Sequence, residues 1–593
     1  MPKQNFKVCL CWRRIFKTRV VEPPPDVKNA FNHFSQSGTM TVDDLLTFLI
    51  EHQGENNATK EDAQAIFDSL KHLNIFHRRG LHLEAFFRYL LGDHNLAHPP
   101  SSKVHHDMTA PLAHYFLFTG HNSYLTGNQV ISASSVEPIK DALLRGVRVI
   151  ELDLWPNSKG DDVEIRHGGY HQLATTFSYP IFLFSCKKEH DFYKTLTSPV
   201  DLQKCLQAIK ENAFHASEYP VVITFEDHLN PNLQKKVAKM VTETFGDMLY
   251  WSETENMQQF PSPESLKKRI LISTKPPKEY LGENRGDVSE TESGRVRNEL
   301  SRNPSDVGEH FPDEDEENTV VQYRQLIAIH AGKLKGGLEN WLSDDPMKVR
   351  RLSLSEQELE NAIRTYATKI VRFTQRNLLR VYPKGTRLDS SNYNPFVGWM
   401  HGAQMVAFNM QGYGKYLWIM QGMFKANGGC GYVKKPDFLL RRGENDEVFN
   451  PSAPLEVKTV MRVKVILGEG WHQDFHHTAF DRYSPPDFYT KIGIAGVPED
   501  KDVKQTAIIE DEWLPVWDQD FEFLIRVPEL AVLRIQVLEY DTTGRPDFGG
   551  QTSLPVSELR TGIRTVPLCD KKGNKYKHVR LLLSINFGRP YDL

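Results

Sequence analysis

From about residue 113 to residue 275 the chain repeats one unit: a short apolar run, a polar group at its end, then a stretch with helical periodicity. The runs are Tyr115–Phe118, Val147–Leu154, Val163–Arg166, Val221–Phe225 and Ile270–Ser273. Val136–Leu144, Leu202–Ala213 and Leu233–Thr244 between them carry apolar residues at helical spacing. Strand–helix alternation predicts a parallel sheet, and closure into a barrel is one solution. The run ends are polar in the same way each time: Gly120-His121-Asn122, Glu151-Leu152-Asp153, Arg166-His167-Gly168, Glu226-Asp227-His228 and Ser273-Thr274-Lys275. In a parallel barrel the strand C-termini share one face, and that face carries the active site.

Glu151 and Asp153 are two apart on a strand and point the same way. Taken alone, the pair reads equally as a solvated strand end. Converging carboxylates repel and raise a pKa unless a cation sits between them. With Asn122 and Glu226 the donor set is all oxygen, which suits calcium or magnesium rather than zinc. His121 and His167 then remain for acid–base work or hydrogen bonding.

A formal net charge of −4 provides no basic field of the kind nucleic-acid binders use. No apolar run reaches the roughly 18 residues that span a bilayer, so action on a membrane is expected from outside. The six cysteines (Cys9, Cys11, Cys186, Cys205, Cys430, Cys569) lack framework spacing, which favours a reducing compartment. Residues 1–25 form a basic tail with six Lys/Arg and no acid before residue 20. It reads as a solvated tail or, with Cys9 and Cys11 acylated, as a membrane anchor.

Residues 26–95 read as four helices, with Gly38 and Gly80 ending loops that lack the D-x-[DN]-x-[DN]-G oxygen ligands of a calcium loop. A degenerate, structural helix pair is expected there. Residues 283–318 hold twelve Asp/Glu against four Arg and predict a disordered acidic linker. From 457 to 589 alternating strands with turn residues between them predict a β-sandwich.

Three regions carry a family resemblance. Gly120-His121-Asn122-Ser123-Tyr124-Leu125, Glu151-Leu152-Asp153-Leu154-Trp155 and Val222–His228 resemble the X region of eukaryotic phosphoinositide-specific phospholipase C. Arg380-Val381-Tyr382-Pro383, Asp389–Pro395, Gln404–Asn409 and Asn427–Tyr432 resemble its Y region, and 457–589 resembles its C2 domain. The resemblance covers about 26–593 and looks like the plant-type subfamily, without a pleckstrin-homology domain.

The resemblance implies a multidomain protein: EF-hand-like helices (26–95), a (β/α)8 TIM-type barrel in X (108–282) and Y (319–445) halves split by the acidic linker, and a C2 domain (455–589). It implies Ca2+ held by Asn122, Glu151, Asp153 and Glu226, and catalysis by His121, His167, Glu151 and Asp153. Lys275, Ser353 and Arg380 match positions that hold ring phosphates, and Tyr382 matches the residue that packs on the ring. Ser273 stands where animal members have a lysine, which bears on the preference between mono- and bisphosphorylated lipid. Asp487, Glu539, Asp541 and Asp547, with Asp474 and Asp481 as weaker additions, are the C2 calcium candidates. The implied activity is calcium-dependent hydrolysis of phosphatidylinositol 4,5-bisphosphate and less phosphorylated phosphoinositides to diacylglycerol and inositol phosphate in signal transduction. The implied partners are these lipids and an anionic membrane surface, with no nucleic acid. A monomer is expected, in the cytosol and peripherally at the cytoplasmic face of the plasma membrane.

One segment departs from the family. Residues 170–194, with Phe177, Tyr179, Ile181, Phe182, Leu183 and Phe184, interrupt the usual run from His167-Gly168 to Thr195-Leu196-Thr197-Ser198-Pro199. It reads as translated non-coding sequence or a splice form, as a membrane-inserting loop, or as a loop that caps the site and leaves a calcium- and lipid-binding protein with impaired turnover. Deleting Tyr170–Lys194 is expected to raise phosphoinositide hydrolysis at least about tenfold on micellar and vesicle substrate, because misplacing the neighbouring acid by 1 Å costs about a hundredfold. A lower rate confined to vesicles would mark a lipid-docking loop, and equal rates would refute both functional readings.

Overall fold

The computed structural model describes residues 3–590 except 8–12, 18–21, 37, 72–79, 100–102, 169–196, 253–256, 278–321, 344, 482 and 542–543. The segment 170–194 and the acidic linker 283–318 therefore lie outside the described residues. Two compact units emerge: residues 106–417 with 429–452, and residues 1–105 with 418–428 and 453–593.

The first unit is built on eight parallel strands: Thr119–Gly120 (β1), Val149–Pro156 (β2), Val221–Asp227 (β3), Ile270–Thr274 (β4), Ile327–His330 (β5), Arg351–Ser355 (β6), Leu378–Tyr382 (β7) and Met405–Phe408 (β8). Their hydrogen-bonded order is β5-β4-β3-β2-β1-β8-β7-β6. The ends meet through a single bridge, Ala331 to Arg351, so the sheet is a nearly closed barrel. The helices Glu137–Leu144, Leu202–Asn212, Pro231–Phe245 and Glu356–Arg376 fall close to the expected stretches.

Two sequence expectations need correction. Tyr115–Phe118 is not a barrel strand: Tyr115–Leu117 pairs antiparallel with Tyr432–Lys434, and the barrel begins only at Thr119. Val163–Ile165 is not one either, since it pairs antiparallel with the end of β2. The linking residues 157–162 are too few for the crossover that a parallel partner requires, so the chain can only reverse. His167 therefore reaches the barrel mouth from a hairpin rather than a parallel strand end.

Register fixes which side chains enter the barrel. Val149, Glu151 and Asp153 stand beside Val222, Thr224 and Glu226, and Leu378 and Arg380 stand beside Arg351 and Ser353. Val149, Val222, Leu271, Leu378 and Met405 share one buried apolar cluster. Continuing two residues at a time, the same inward faces turn polar toward the strand C-termini. The barrel is thus dry at its base and charged at its mouth.

Arg148 locks the base. Its side chain is fully buried and every nitrogen donates to a carbonyl: Nε to Val147 (2.8 Å), Nη1 to Ala213 (2.7 Å), Nη2 to Leu143 (3.1 Å).

In the second unit, helices Pro25–Phe34, Val42–Glu51, Lys60–Ser69 and Leu83–Leu91 match the four expected. Their two loops pair through Met40 and Leu81 (2.9 and 2.8 Å). Asp44 and Asp62 close capping boxes with Thr41 and Thr59, which places these acids at helix starts rather than in a cation loop. Near the N-terminus Lys3–Lys7 pairs with Arg13–Lys17, so the basic segment contains a hairpin.

The sandwich has eight strands: Thr459–Glu469 (β9), Phe488–Ala495 (β10), Asp502–Gln505 (β11), Val516–Ile525 (β12), Val532–Glu539 (β13), Asp547–Pro555 (β14), Gly562–Cys569 (β15) and Lys575–Gly588 (β16). The order is β11-β10-β13-β14-β15-β16-β9-β12, with β14 and β15 joined only at Gln551 and Cys569. That weak link divides the strands into two sheets around a core with Trp471, Phe488 and Trp513. The helices brace this sandwich through Arg564, which reaches Glu55 (2.7 Å), Asn95 (3.0 Å) and the Gln53 carbonyl (2.7 Å).

Arg148→Met should lower stability by on the order of 3 kcal/mol, because several buried carbonyls lose their donor at once. Thermal melting should show the barrel transition fall by roughly 6–12 °C. An unchanged transition would show that water replaces the guanidinium.

Candidate active site at the barrel mouth

After β1 the chain turns sharply, with Asn122 at φ +42, a left-handed conformation that asparagine tolerates. Gly120 permits the turn, since a Cβ there would sit 2.3 Å from Ser123 Oγ. The turn brings Asn122 beside β2, where its N–H donates to Glu151 Oε2 (3.3 Å). Glu151 and Asp153 are buried, and Tyr124 Oη donates to Asp153 Oδ2 (2.9 Å). Glu226 is the register partner of Asp153. The structure therefore brings Asn122, Glu151, Asp153 and Glu226 together.

Glu151 and Asp153 are shifted in opposite directions. Burial pushes Glu151 up, but the Arg380 guanidinium, His121 and the Asn122 N–H outweigh it and leave the carboxyl below its ordinary range. Burial, reinforced by the charges of Glu151 and Glu226, pushes Asp153 well above that range. Asp153 Oδ1 is buried and has no hydrogen-bond partner among the described residues. An orphaned carboxylate oxygen amid further oxygen donors fits a hard divalent cation.

The histidines are oriented by one residue that the sequence pattern did not single out, Gln129. Its carbonyl accepts from His167 Nδ1 (2.8 Å). Its side-chain Oε1 accepts from Asn122 Nδ2 (3.0 Å), and its Nε2 donates to Asn409 Oδ1 (3.1 Å) and Ser390 Oγ (2.7 Å). Asn409 Oδ1 also accepts from His121 Nδ1 (2.9 Å). Oxygen acceptors at both Nδ1 atoms require the Nδ1–H tautomer, so Nε2 is the exchanging nitrogen of each ring. Burial lowers the His121 pKa. Across the segment 169–196, Thr197 Oγ1 donates to the His167 carbonyl (2.9 Å), so both flanks of that segment meet.

The substrate-site candidates divide. Ser353 and Arg380 are register partners, and Arg380 stacks over the Tyr382 ring at 5.2 Å. Arg380, expected at a phosphate, also forms an ion pair with Glu151. Lys275 is exposed just beyond β4, within electrostatic reach of His228. A second arginine, Arg351, enters the same interior and was not anticipated.

At one end of the sandwich, Asp487 precedes β10, Glu539 ends β13 and Asp547 begins β14 as the register partner of Glu539. Burial and then the charges of Asp481, Asp547, Asp487 and Asp541 push the Glu539 carboxyl up to about 7. Asp474 does not join them. It accepts from the His578 and Val579 N–H groups (2.7 and 3.1 Å) and pairs with His578 Nδ1 (2.7 Å).

A nearly closed parallel barrel whose C-terminal mouth gathers two tautomer-fixed histidines and buried carboxylates is a TIM-type barrel with its polar groups where such enzymes carry their active sites. Family models agree. The chain matches the X domain of phosphatidylinositol-specific phospholipase C over 108–276, its Y domain over 333–438, its EF-hand-like region over 20–96, and a C2 domain over 459–568. It is 54% identical to phosphoinositide phospholipase C 2 of Arabidopsis thaliana, covering 99% of this chain and all (100%) of that one. It is 31% identical to mouse 1-phosphatidylinositol 4,5-bisphosphate phosphodiesterase delta-3, covering 95% of this chain and 68% of that one. The crystal structure of L. pealei PLC21 shares the fold at TM-score 0.71 and 23% identity, covering 95% and 68% respectively. The chain belongs to the phosphoinositide phospholipase C family and is an enzyme of that type.

Because the folded state raises the Glu539 pKa, it binds this proton more tightly than the unfolded chain, and stability falls as pH rises from the ordinary glutamate range through about 7. Glu539→Gln in chelator should therefore gain melting temperature over the parent, by an amount that grows between about pH 5.5 and 7.5. A constant difference would show that the acids do not confront one another.

Proposed function

We propose that this enzyme is a calcium-dependent phosphodiesterase acting on phosphatidylinositol 4,5-bisphosphate, and on less phosphorylated phosphoinositides, at an anionic membrane surface in lipid signal transduction. The observation that carries this reading is the orphaned Asp153 oxygen among Asn122, Glu151 and Glu226, with His121 and His167 oriented beside them. The bisphosphate in the name of the mouse relative supports that substrate.

Asn122, Glu151, Asp153 and Glu226 would hold the calcium ion, which supplies positive charge for the inositol 2-hydroxyl and the phosphate oxygens when bound. Glu151 or Asp153 takes the proton of that hydroxyl as it attacks phosphorus. His167 gives a proton to the departing diacylglycerol oxygen, and His121 hydrogen-bonds the charged phosphoryl oxygens. Water then opens the cyclic phosphate, with the acid and base roles reversed. Lys275, Ser353 and Arg380 bind headgroup phosphates, and Tyr382 packs on the ring.

Apolar side chains on the mouth loops support work at a bilayer. Ile131 is 64% exposed and Tyr413 76%, with Leu388 between their loops. Those loops are tied by Gln129 N–H to the Leu388 carbonyl (3.0 Å) and Gln411 Nε2 to the Gly127 carbonyl (3.1 Å). In the sandwich, Asp487, Glu539, Asp541 and Asp547 would bind calcium and let anionic lipid complete its shell. Among the described residues no helix is long and apolar enough to cross a membrane. The protein acts as a monomer in the cytosol and peripherally at the cytoplasmic face of the plasma membrane.

The other reading is a calcium- and lipid-binding protein whose turnover is impaired by 170–194, a segment outside the described residues.

His167→Ala and Glu151→Ala should each lower kcat by about 10²–10⁴-fold while calcium-dependent vesicle sedimentation persists. Near-parental turnover in either variant would overturn the assigned roles.

A further inference from the structure

Three arginines of the barrel unit, Arg148, Arg351 and Arg380, are each at most 2% exposed, yet they are satisfied differently. Arg148 directs Nε, Nη1 and Nη2 onto backbone carbonyls. Arg380 pairs with Glu151. Arg351 is 2% exposed, and its Nε and Nη1 are buried with no hydrogen-bond partner among the described residues. Leaving guanidinium donors dry and unpaired is costly, so a fold keeps them where an anion will complete them.

The location identifies the anion. Arg351 is an inward position of β6, two residues before Ser353 and level with Leu378 on β7. Its head group lies within electrostatic reach of Arg380, Glu226 and Glu151, so it rises from the dry base toward the polar mouth. A counter-ion built only for those carboxylates would donate to one of them, as Arg380 does. A second cation held beside Arg380 without such a bond is the arrangement that receives a multiply charged ligand. Phosphate monoesters carry about −1.5 to −2 charge and three acceptor oxygens, and they take arginine bidentately.

We propose that Arg351 is a further substrate-binding residue, a ligand for a phosphate monoester on the inositol headgroup, and thereby a determinant of which phosphoinositide the barrel accepts. The inference rests on the phosphoinositide reading above and deepens it. Arg351 contributes a forked donor beneath Ser353 and beside Arg380, so the headgroup phosphate is gripped from β6 as well as β7. Burial and the neighbouring Arg380 bring the Arg351 pKa down to about 10, which leaves it cationic at neutral pH.

The test compares kcat/KM for phosphatidylinositol 4,5-bisphosphate with that for phosphatidylinositol in mixed micelles, in the parent, Arg351→Met and Arg351→Lys. The bisphosphate-to-unphosphorylated ratio should fall at least about tenfold in R351M, with R351K intermediate because it keeps the charge but loses the fork. The increase in melting temperature produced by inositol 1,4,5-trisphosphate, relative to inositol 1-phosphate, should shrink in the same order. If both substrates decline in parallel and the ligand-induced increase is unaltered, Arg351 only balances the carboxylates and the proposal is overturned. If R351M does not melt cooperatively, an undiminished ratio and ligand-induced increase in R351K would overturn it equally. A parent enzyme that cleaves neither lipid would instead overturn the reading under Proposed function, and the trisphosphate melting comparison would still decide whether Arg351 binds phosphate.

Discussion

Three carboxylates forced into one end of a nearly closed barrel are the constraint on which the rest of this unit depends. Glu151, Asp153 and Glu226 lie on adjacent strands in matched register, so they cannot move apart without breaking the sheet. Their repulsion is divided unequally: Arg380 helps hold the Glu151 carboxyl below its ordinary range, while burial and the charges of Glu151 and Glu226 push Asp153 above it. The cation proposed for this site would be held by groups that the sheet itself fixes. The apolar lower half, from Val149 to Met405, keeps water from relieving that field from below.

Orientation at the mouth is concentrated in Gln129. One residue bonds to the backbone-anchored His167 through its carbonyl, and to Asn122 and, through Asn409, to His121 with its side chain. Both imidazoles thereby share one tautomer, and the amide that faces the carboxylate cage shares their anchor. The arrangement links the two imidazoles to Asn122 mechanically, over loops that otherwise follow separate strands.

The second unit shows the opposite use of buried charge. Arg564 is enclosed at the junction of the helices and the sandwich, with its donors on Glu55, Asn95 and Gln53. The helical region, lacking calcium-loop ligands, is held there as a brace. At the sandwich's far loops the charges are left in conflict around Glu539, as the barrel leaves them around Asp153. Satisfied networks hold the architecture, and the unsatisfied ones lie at the loop ends where ligands are proposed to bind.

How much of this was legible in the sequence follows from the range of each interaction. Strand and helix periodicity are local, so the alternation from 113 to 275, the four N-terminal helices and the sandwich strands were readable, and the period-two spacing alone put Glu151 and Asp153 on one face. The reversal at Val163 and the late start of the barrel at Thr119 were not, because strand partners are chosen by chain length between segments and by pairing, not by composition. Gln129, Asn409 and Arg351 carry no motif that distinguishes a loop amide or a strand arginine from a solvated one. Tertiary structure decided their roles, because only closure of the barrel sets a residue from β6 against carboxylates from β2 and β3, and only burial makes an unpaired donor matter. The sequence by itself determined which groups were available; the closed sheet decided which of them meet in a low-dielectric space, where charge must be balanced.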